Sequence, residues 1–139
     1  MGLREYIFEL ITEDSQMNAL GINFESTFSQ HSVDTPQIRP MCILRWGDTP
    51  EPIVSDFPVN QRTLTVWVHD SIADADYGQI DQALRRLRAL LTSVQGVDVG
   101  GGVGWLSGIK WEGDSSDLRD DDAGTIMRNA QFRLTGSAI

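Results

Sequence analysis

The residues best suited to chemistry crowd into "KWEGDSSDLRDDDAGT", positions 110 to 125. Glu112, Asp114, Asp117, Asp120, Asp121 and Asp122 place six carboxylates in eleven positions, with Arg119 the one cation among them. Such a run could hold a divalent cation, supply a catalytic acid and base, or form a repulsive surface. A calcium loop of the EF-hand type needs glycine at its sixth position and a bidentate Glu at its twelfth. Counting from Asp114 puts Arg119 sixth and Thr125 twelfth; counting from Asp120 puts Thr125 sixth. Both registers fail. A two-metal nuclease gathers its carboxylates from separate strands, whereas these share one stretch. A solvated or repulsive surface is the expectation, with loose cation binding as a lesser use.

The other reactive side chains are sparse. His31 sits in a polar segment, and His69-Asp70 at a strand end has no nucleophile nearby in the sequence. Cys42 is the only cysteine and lies in the apolar run "MCILRW", where a buried thiol is expected and an internal disulfide is excluded. Two histidines and one such cysteine make a poor zinc set. "VGGGVG" lacks the Lys-Ser/Thr of a phosphate loop, and a strand follows it where a dinucleotide fingerprint requires a helix. No cofactor, metal or catalytic constellation is expected.

The elements that must position these groups fit one domain over residues 1–139, 40% of them hydrophobic, enough to bury a core. Acidic residues through "MGLREYIFELITED" make a signal peptide unexpected, and no apolar run approaches the ~20 residues of a membrane span. Tyr6 occupies the position where a myristoylation motif after Gly2 wants Ser or Thr. The expectation is a soluble protein made in a reducing compartment. A formal charge of −9 argues against gripping nucleic acid, though not against meeting it as something to repel.

Leu3, Tyr6, Ile7, Leu10 and Ile11 fall on one stripe and predict a helix over 3–14. A strand is expected just after Gly21, then a loop over 29–40, then "MCILRW" as a strand buried on both faces. The prolines of 47–61 predict a second long loop, of the kind that often serves assembly. In "RTLTVWVHD", Leu64, Val66 and Val68 alternate with Thr63, Thr65, Trp67 and His69. Residues 74–95 predict the main helix, capped by Asp74 or Asp76, lined by Ile80, Ala83, Leu84, Leu87, Leu90, Leu91 and Val94, and ended by Gly96. A glycine-rich hairpin leads to a strand with Trp105, Ile109 and Trp111 on one face, and Ile126, Ala130, Phe132 and Leu134 alternate along a last strand. The order implies an α+β fold, a mostly antiparallel mixed sheet with two helices packed over it.

Two further features suit contacts between proteins. Arg85, Arg86 and Arg88 on the polar face of the main helix form either a solvated face or a basic patch for an acidic neighbour. Trp67 shares a face with threonines and is a candidate interface aromatic.

"ILRWGD", "RTLTVWVHD", "YGQIDQALRRLRALL", "GWLSGIKWEGDSSDLRDDD" and "RNAQFRL", in this order and spacing, resemble the tail terminator proteins of long-tailed bacteriophages, especially those of actinobacteria. The resemblance runs from about residue 38 to 134, and the weight lies in the order of the motifs, none of which is diagnostic alone. It implies an α+β subunit of a hexameric ring on the head-proximal end of the tail tube. Such a ring ends tube polymerisation, joins the tail to the head connector, and lets genomic DNA pass through its lumen without sequence-specific binding. It implies a virion protein made in the host bacterial cytoplasm, with the tube protein, the connector or neck protein and five more copies as partners, and no membrane. Six copies carry about −54, a charge that lets a duplex slide. The acidic loop from Glu112 to Asp122 is then expected at the lumen or rim, or against Arg85, Arg86 or Arg88 of a neighbour. Two alternatives are another head–tail joining or neck adaptor protein and, from a different class, a small metal-dependent enzyme using the Asp114–Asp122 carboxylates.

Overall fold

A computed structural model describes residues 2–29, 40–47, 51–52, 59–73, 76–99, 104–122, 124–137 and 139. His31, Asp74, the glycine run 100–103 and most of the two long loops lie outside these residues.

The apolar stripe of the N-terminus forms α1 (Leu3–Thr12), burying Leu3, Ile7 and Ile11. The expected helix over 3–14 stops earlier because Asp14 turns extended and its carboxylate accepts the Met17 N–H, starting the short α2 (Ser15–Ala19). The strand expected after Gly21 is largely a 3₁₀ turn, Phe24–Ser26. Asn23 and Ser26 cap it reciprocally, leaving only two residues for β1 (Thr27–Phe28). Ile22, Phe24 and Phe28 have a strand-like spacing, but the capping residues win locally. Phe24 is 73% exposed.

The sheet contains β2 (Met41–Trp46), β3 (Glu51–Pro52), β4 (Val59–Ser71), β5 (Gln95–Asp98), β6 (Trp105–Asp114), β7 (Leu118–Asp120) and β8 (Thr125–Ser137). Its order is β1-β2-β4-β8-β6-β5, with β3 on β4 and β7 on β8. β1 runs parallel to β2, and every other pair is antiparallel. The expected mixed α+β fold is therefore present, with three helices among the described residues in place of two. The proline-rich segment expected to be irregular contributes β3, where Pro52 is tolerated on a short edge strand.

The main helix, α3 (Gly78–Thr92), is shorter than the expected 74–95. Asp76 Oδ1 accepts the Gly78 N–H at 2.8 Å, close to the role foreseen for it. Gly96 does not end the helix. Ser93 and Val94 already do so, and Gly96, with φ +60°, bends β5 instead.

The core lies between one sheet face and the helices. Cys42 and Leu44 stand opposite Val68 and Val66, and Leu64 opposite Phe132, beneath Ile80, Ala83, Leu84, Leu87 and Leu91. Burial drives this layer, each fully buried aliphatic side chain contributing about 1.5–3 kcal/mol. "MCILRW" meets its expectation, with Met41, Cys42, Ile43 and Leu44 all buried. Trp105 does not share a face with Ile109 and Trp111. A bulge between Leu106 and Gly108 shifts the register, so Leu106 turns inward and Trp105 is left 47% exposed. At Gly136 the Trp105 carbonyl approaches so closely that no side chain would fit.

Candidate functional site

The strands give the molecule two chemically different ends. At one end β6 stops at Asp114, and the chain crosses to β7 through Ser115–Asp117. The Ser115 N–H donates to the Asn129 carbonyl at 2.8 Å, and the Asn129 N–H returns a bond to Ser115 Oγ at 2.9 Å. Tyr77, just before α3, donates its hydroxyl to the Leu118 carbonyl at 2.7 Å. Arg128 ties these pieces together. Its guanidinium donates to Asp81 Oδ1 at 2.6 Å and twice to the Ser115 carbonyl, at 3.0 and 2.8 Å, with Asp117 at 3.6 Å.

The acidic stretch is thus anchored, and much of its charge is already matched. Glu112 pairs with Arg133 at 2.5 Å, Asp121 with Arg119 at 2.6 Å, and Asp114 accepts the Trp111 indole N–H at 2.9 Å. Asp120 is half-buried on β7, and Asp122 is exposed with no ion pair among the described residues. Among the described residues no three His, Cys, Asp or Glu converge as metal ligands would. The six carboxylates spread from β6 to the turn after β7, and Glu112, Asp117 and Asp121 face three different arginines, an arrangement suited to electrostatic contact.

The three arginines of α3 also separate. Arg86 makes a bidentate pair with Asp14, at 3.0 and 2.7 Å, joining α3 to α2. This hydrogen bond holds the Asp14 carboxyl below the usual carboxylate range, against the opposing effect of burial. Arg88 stacks on Trp111, 3.8 Å from its ring centre. Arg85 is exposed beside a shallow groove of about 490 Å³ between α2 and α3.

Trp67 is half-buried on the sheet face turned away from the helices, its ring centre 6.3 Å from that of His69. Its indole nitrogen is buried and finds no acceptor. His69 Nδ1 lies 3.1 Å from Thr125 Oγ1, whereas Asp70, the next residue along the strand, points to the helix side. The two do not form a dyad. Cys42 is wholly buried and its thiol is pushed up to about 12 by desolvation, which suits packing and not nucleophilic attack.

At the opposite end stands a cluster that sequence reasoning missed. Arg4 of α1 and Arg62 of β4 both lie over the Trp46 ring, at 5.6 and 5.0 Å from its centre. The Trp46 indole nitrogen and Arg62 Nε are buried without acceptors, and neither arginine has an ion pair among the described residues. Burial, and secondarily the Arg4 charge, pull the Arg62 pKa below its ordinary value. A signal was present: Arg62 continues the inward register of Leu64, Val66 and Val68.

No protein-family model matches the sequence, and no curated protein matches it. Among solved structures the fold is similar to a chain from the virion of a native gene transfer agent particle. The TM-score is 0.72 at 14% identity, over 99% of this chain and 96% of that chain. At that identity the likeness carries the fold. No helix among the described residues is long and apolar enough to cross a membrane.

Proposed function

We propose that this chain is a non-enzymatic structural protein of a phage-like virion, and within it a tail terminator. Six copies form a ring on the head-proximal end of the tail tube. The ring ends tube polymerisation, meets the head connector or neck protein on its other side, and lets genomic DNA pass through its lumen. The observation that carries this reading is the near-complete overlap with a virion chain of the gene transfer agent particle, at TM-score 0.72. The motif order of residues 38 to 134 supports the finer assignment. The site chemistry is compatible with it: acidic side chains that face arginines, a buried thiol, and a histidine and an aspartate on opposite faces. A net charge of −9 per chain suits a passage that does not grip phosphates.

Electron cryo-microscopy of particles carrying this protein tests the proposal. One six-fold ring of the chain is expected between tube and connector. A ring seated within the connector, away from the tube, would make it a neck adaptor instead. Absence of the chain from the particle would end the virion reading altogether.

A further inference from the structure

The two ends of the sheet differ in charge and in what they lack. Along β4 the chain passes from Arg62 to Ser71, and Ser71 pairs with Thr125, which pairs in turn with Asp120. At ~3.3 Å per residue, Arg62 and the turn Asp120–Asp122 are separated by about 30 Å along the strand. The acidic turn projects one exposed carboxylate, Asp122, that no described residue matches. The Arg4–Trp46–Arg62 cluster consists of donors alone. Two guanidinium groups converge on one indole, two of the nitrogens are buried without acceptors, and among the described residues no carboxylate pairs with either arginine. Glu5 and Glu9 border the hollow beside Arg4 without pairing with it. The N-cap of α1, Gly2, offers no side-chain acceptor either, so the positive end of the helix adds to the same field.

What such a cluster lacks among the described residues is an anion. Two arginines over an aromatic ring fit a carboxylate delivered on a short turn, with the ring excluding water from the pair. The chain as a whole bears −9, which disfavours a nucleic acid phosphate as the anion and leaves a protein carboxylate. We propose that the Arg4–Trp46–Arg62 cluster of one copy receives the Asp120–Asp122 turn of another copy, Asp122 foremost, in a head-to-tail contact. A patch that meets a different patch at the far end of the next molecule generates a ring or a filament instead of a closed pair. This deepens the ring reading above and rests on it, while replacing Arg85, Arg86 and Arg88 as the basic partner, since Arg86 and Arg88 are engaged within their own subunit.

Charge exchange between the two ends tests the contact. The full chain is studied by sedimentation velocity over a concentration series in low and moderate salt. The wild type is expected to associate, more weakly as salt rises. Arg62→Glu and Asp122→Arg should each weaken association at least tenfold. The double variant, and an equimolar mixture of the two single variants, should recover it. Arg62→Gln, which avoids placing an acid on Trp46, guards against a folding defect, with circular dichroism confirming the native fold of each variant. Overturning outcomes are a wild type that stays monomeric at ~100 μM in low salt, an Arg62→Glu variant that associates like the wild type, or a double variant no better than either single one. Binding of duplex DNA that Arg62→Glu abolishes, with self-association unchanged, overturns it in favour of phosphate. The virion reading is scored separately: a ring in imaged particles whose Arg62 faces away from its neighbours sinks this contact and leaves that reading standing.

Discussion

The acidic end and the basic end of this sheet are opposites in how their charges are handled. At the acidic end, Arg128 and Arg119 lie among Asp81, Asp117 and Asp121, and backbone hydrogen bonds pin the connecting turn to β8. At the basic end, Arg4 and Arg62 share an indole and no carboxylate among the described residues answers them. The end with more charges is therefore the more nearly complete within one subunit. The end with fewer is the one that wants a partner. Counting charges along a sequence finds the first and misses the second, because an electrostatic opportunity is set by what remains unpaired after folding.

The contrast between the two ends depends most on Arg128. Its side chain is 20% exposed and holds α3, the Ser115 turn and β8 together. Arg128→Ala should lower unfolding stability by about 2 kcal/mol, since charge-assisted bonds to a carbonyl and a carboxylate are lost together. Asp117→Asn should cost under about 0.5 kcal/mol, because that pair is long and its carboxylate well exposed. Urea denaturation with circular dichroism measures both. Equal losses would mean that the acidic stretch is held by its carboxylates and not by the arginine beneath them.

Arg128 also shows where the sequence was legible. Its alternation places it with Ile126, Ala130 and Phe132 on the core side, a position where a charge demands a partner. The partner could not be read, because Asp81 lies on a helix far away in sequence and only the docking of α3 brings it close. The same holds for Glu112, whose cation comes from β8, and for Asp14, whose cation comes from α3. Strands and helices with long apolar periods, such as Leu64-Val66-Val68 and the α3 stripe, were visible from their own residues. Local chemistry overrode period where a cap or a bulge intervened, at Asn23 and at Ser107. The Arg4–Trp46–Arg62 cluster joins three separate elements, and no spacing within one segment encodes it.

The internal pairing of carboxylates also has a smaller, pH-dependent consequence. Asp14 is another carboxylate satisfied inside the subunit, by Arg86 and by the Met17 N–H. Its folded-state pKa is depressed, chiefly by the Arg86 hydrogen bond. The stability it contributes is therefore fully present above the unfolded value of ~3.9 and is lost as pH falls through the lower folded value. Asp14→Asn should cost about 1 kcal/mol at neutral pH, discounted for the partial exposure of Arg86, and should flatten the stability curve below about pH 4. Thermal unfolding of both proteins from pH 2.5 to 7 checks this. Parallel curves would show that the pair contributes nothing.

The smallest expected effect is the most discriminating. If the basic end is incomplete within the subunit, removing its charge should barely trouble the isolated fold. Arg62 gains a cation–π contact worth about 0.5–1 kcal/mol at such a site. Against this stand the burial of Nε without an acceptor and the repulsion of Arg4, both of which oppose its charge. The terms have opposite signs and similar size, so Arg62→Gln should change monomer stability by no more than about 0.5 kcal/mol in either direction. A loss near that of Arg128→Ala would mean that Arg62 is fully employed within its own subunit, leaving no vacancy for a neighbour. A near-zero value, together with weakened association of the same variant, would locate the worth of this arginine between molecules and not within one.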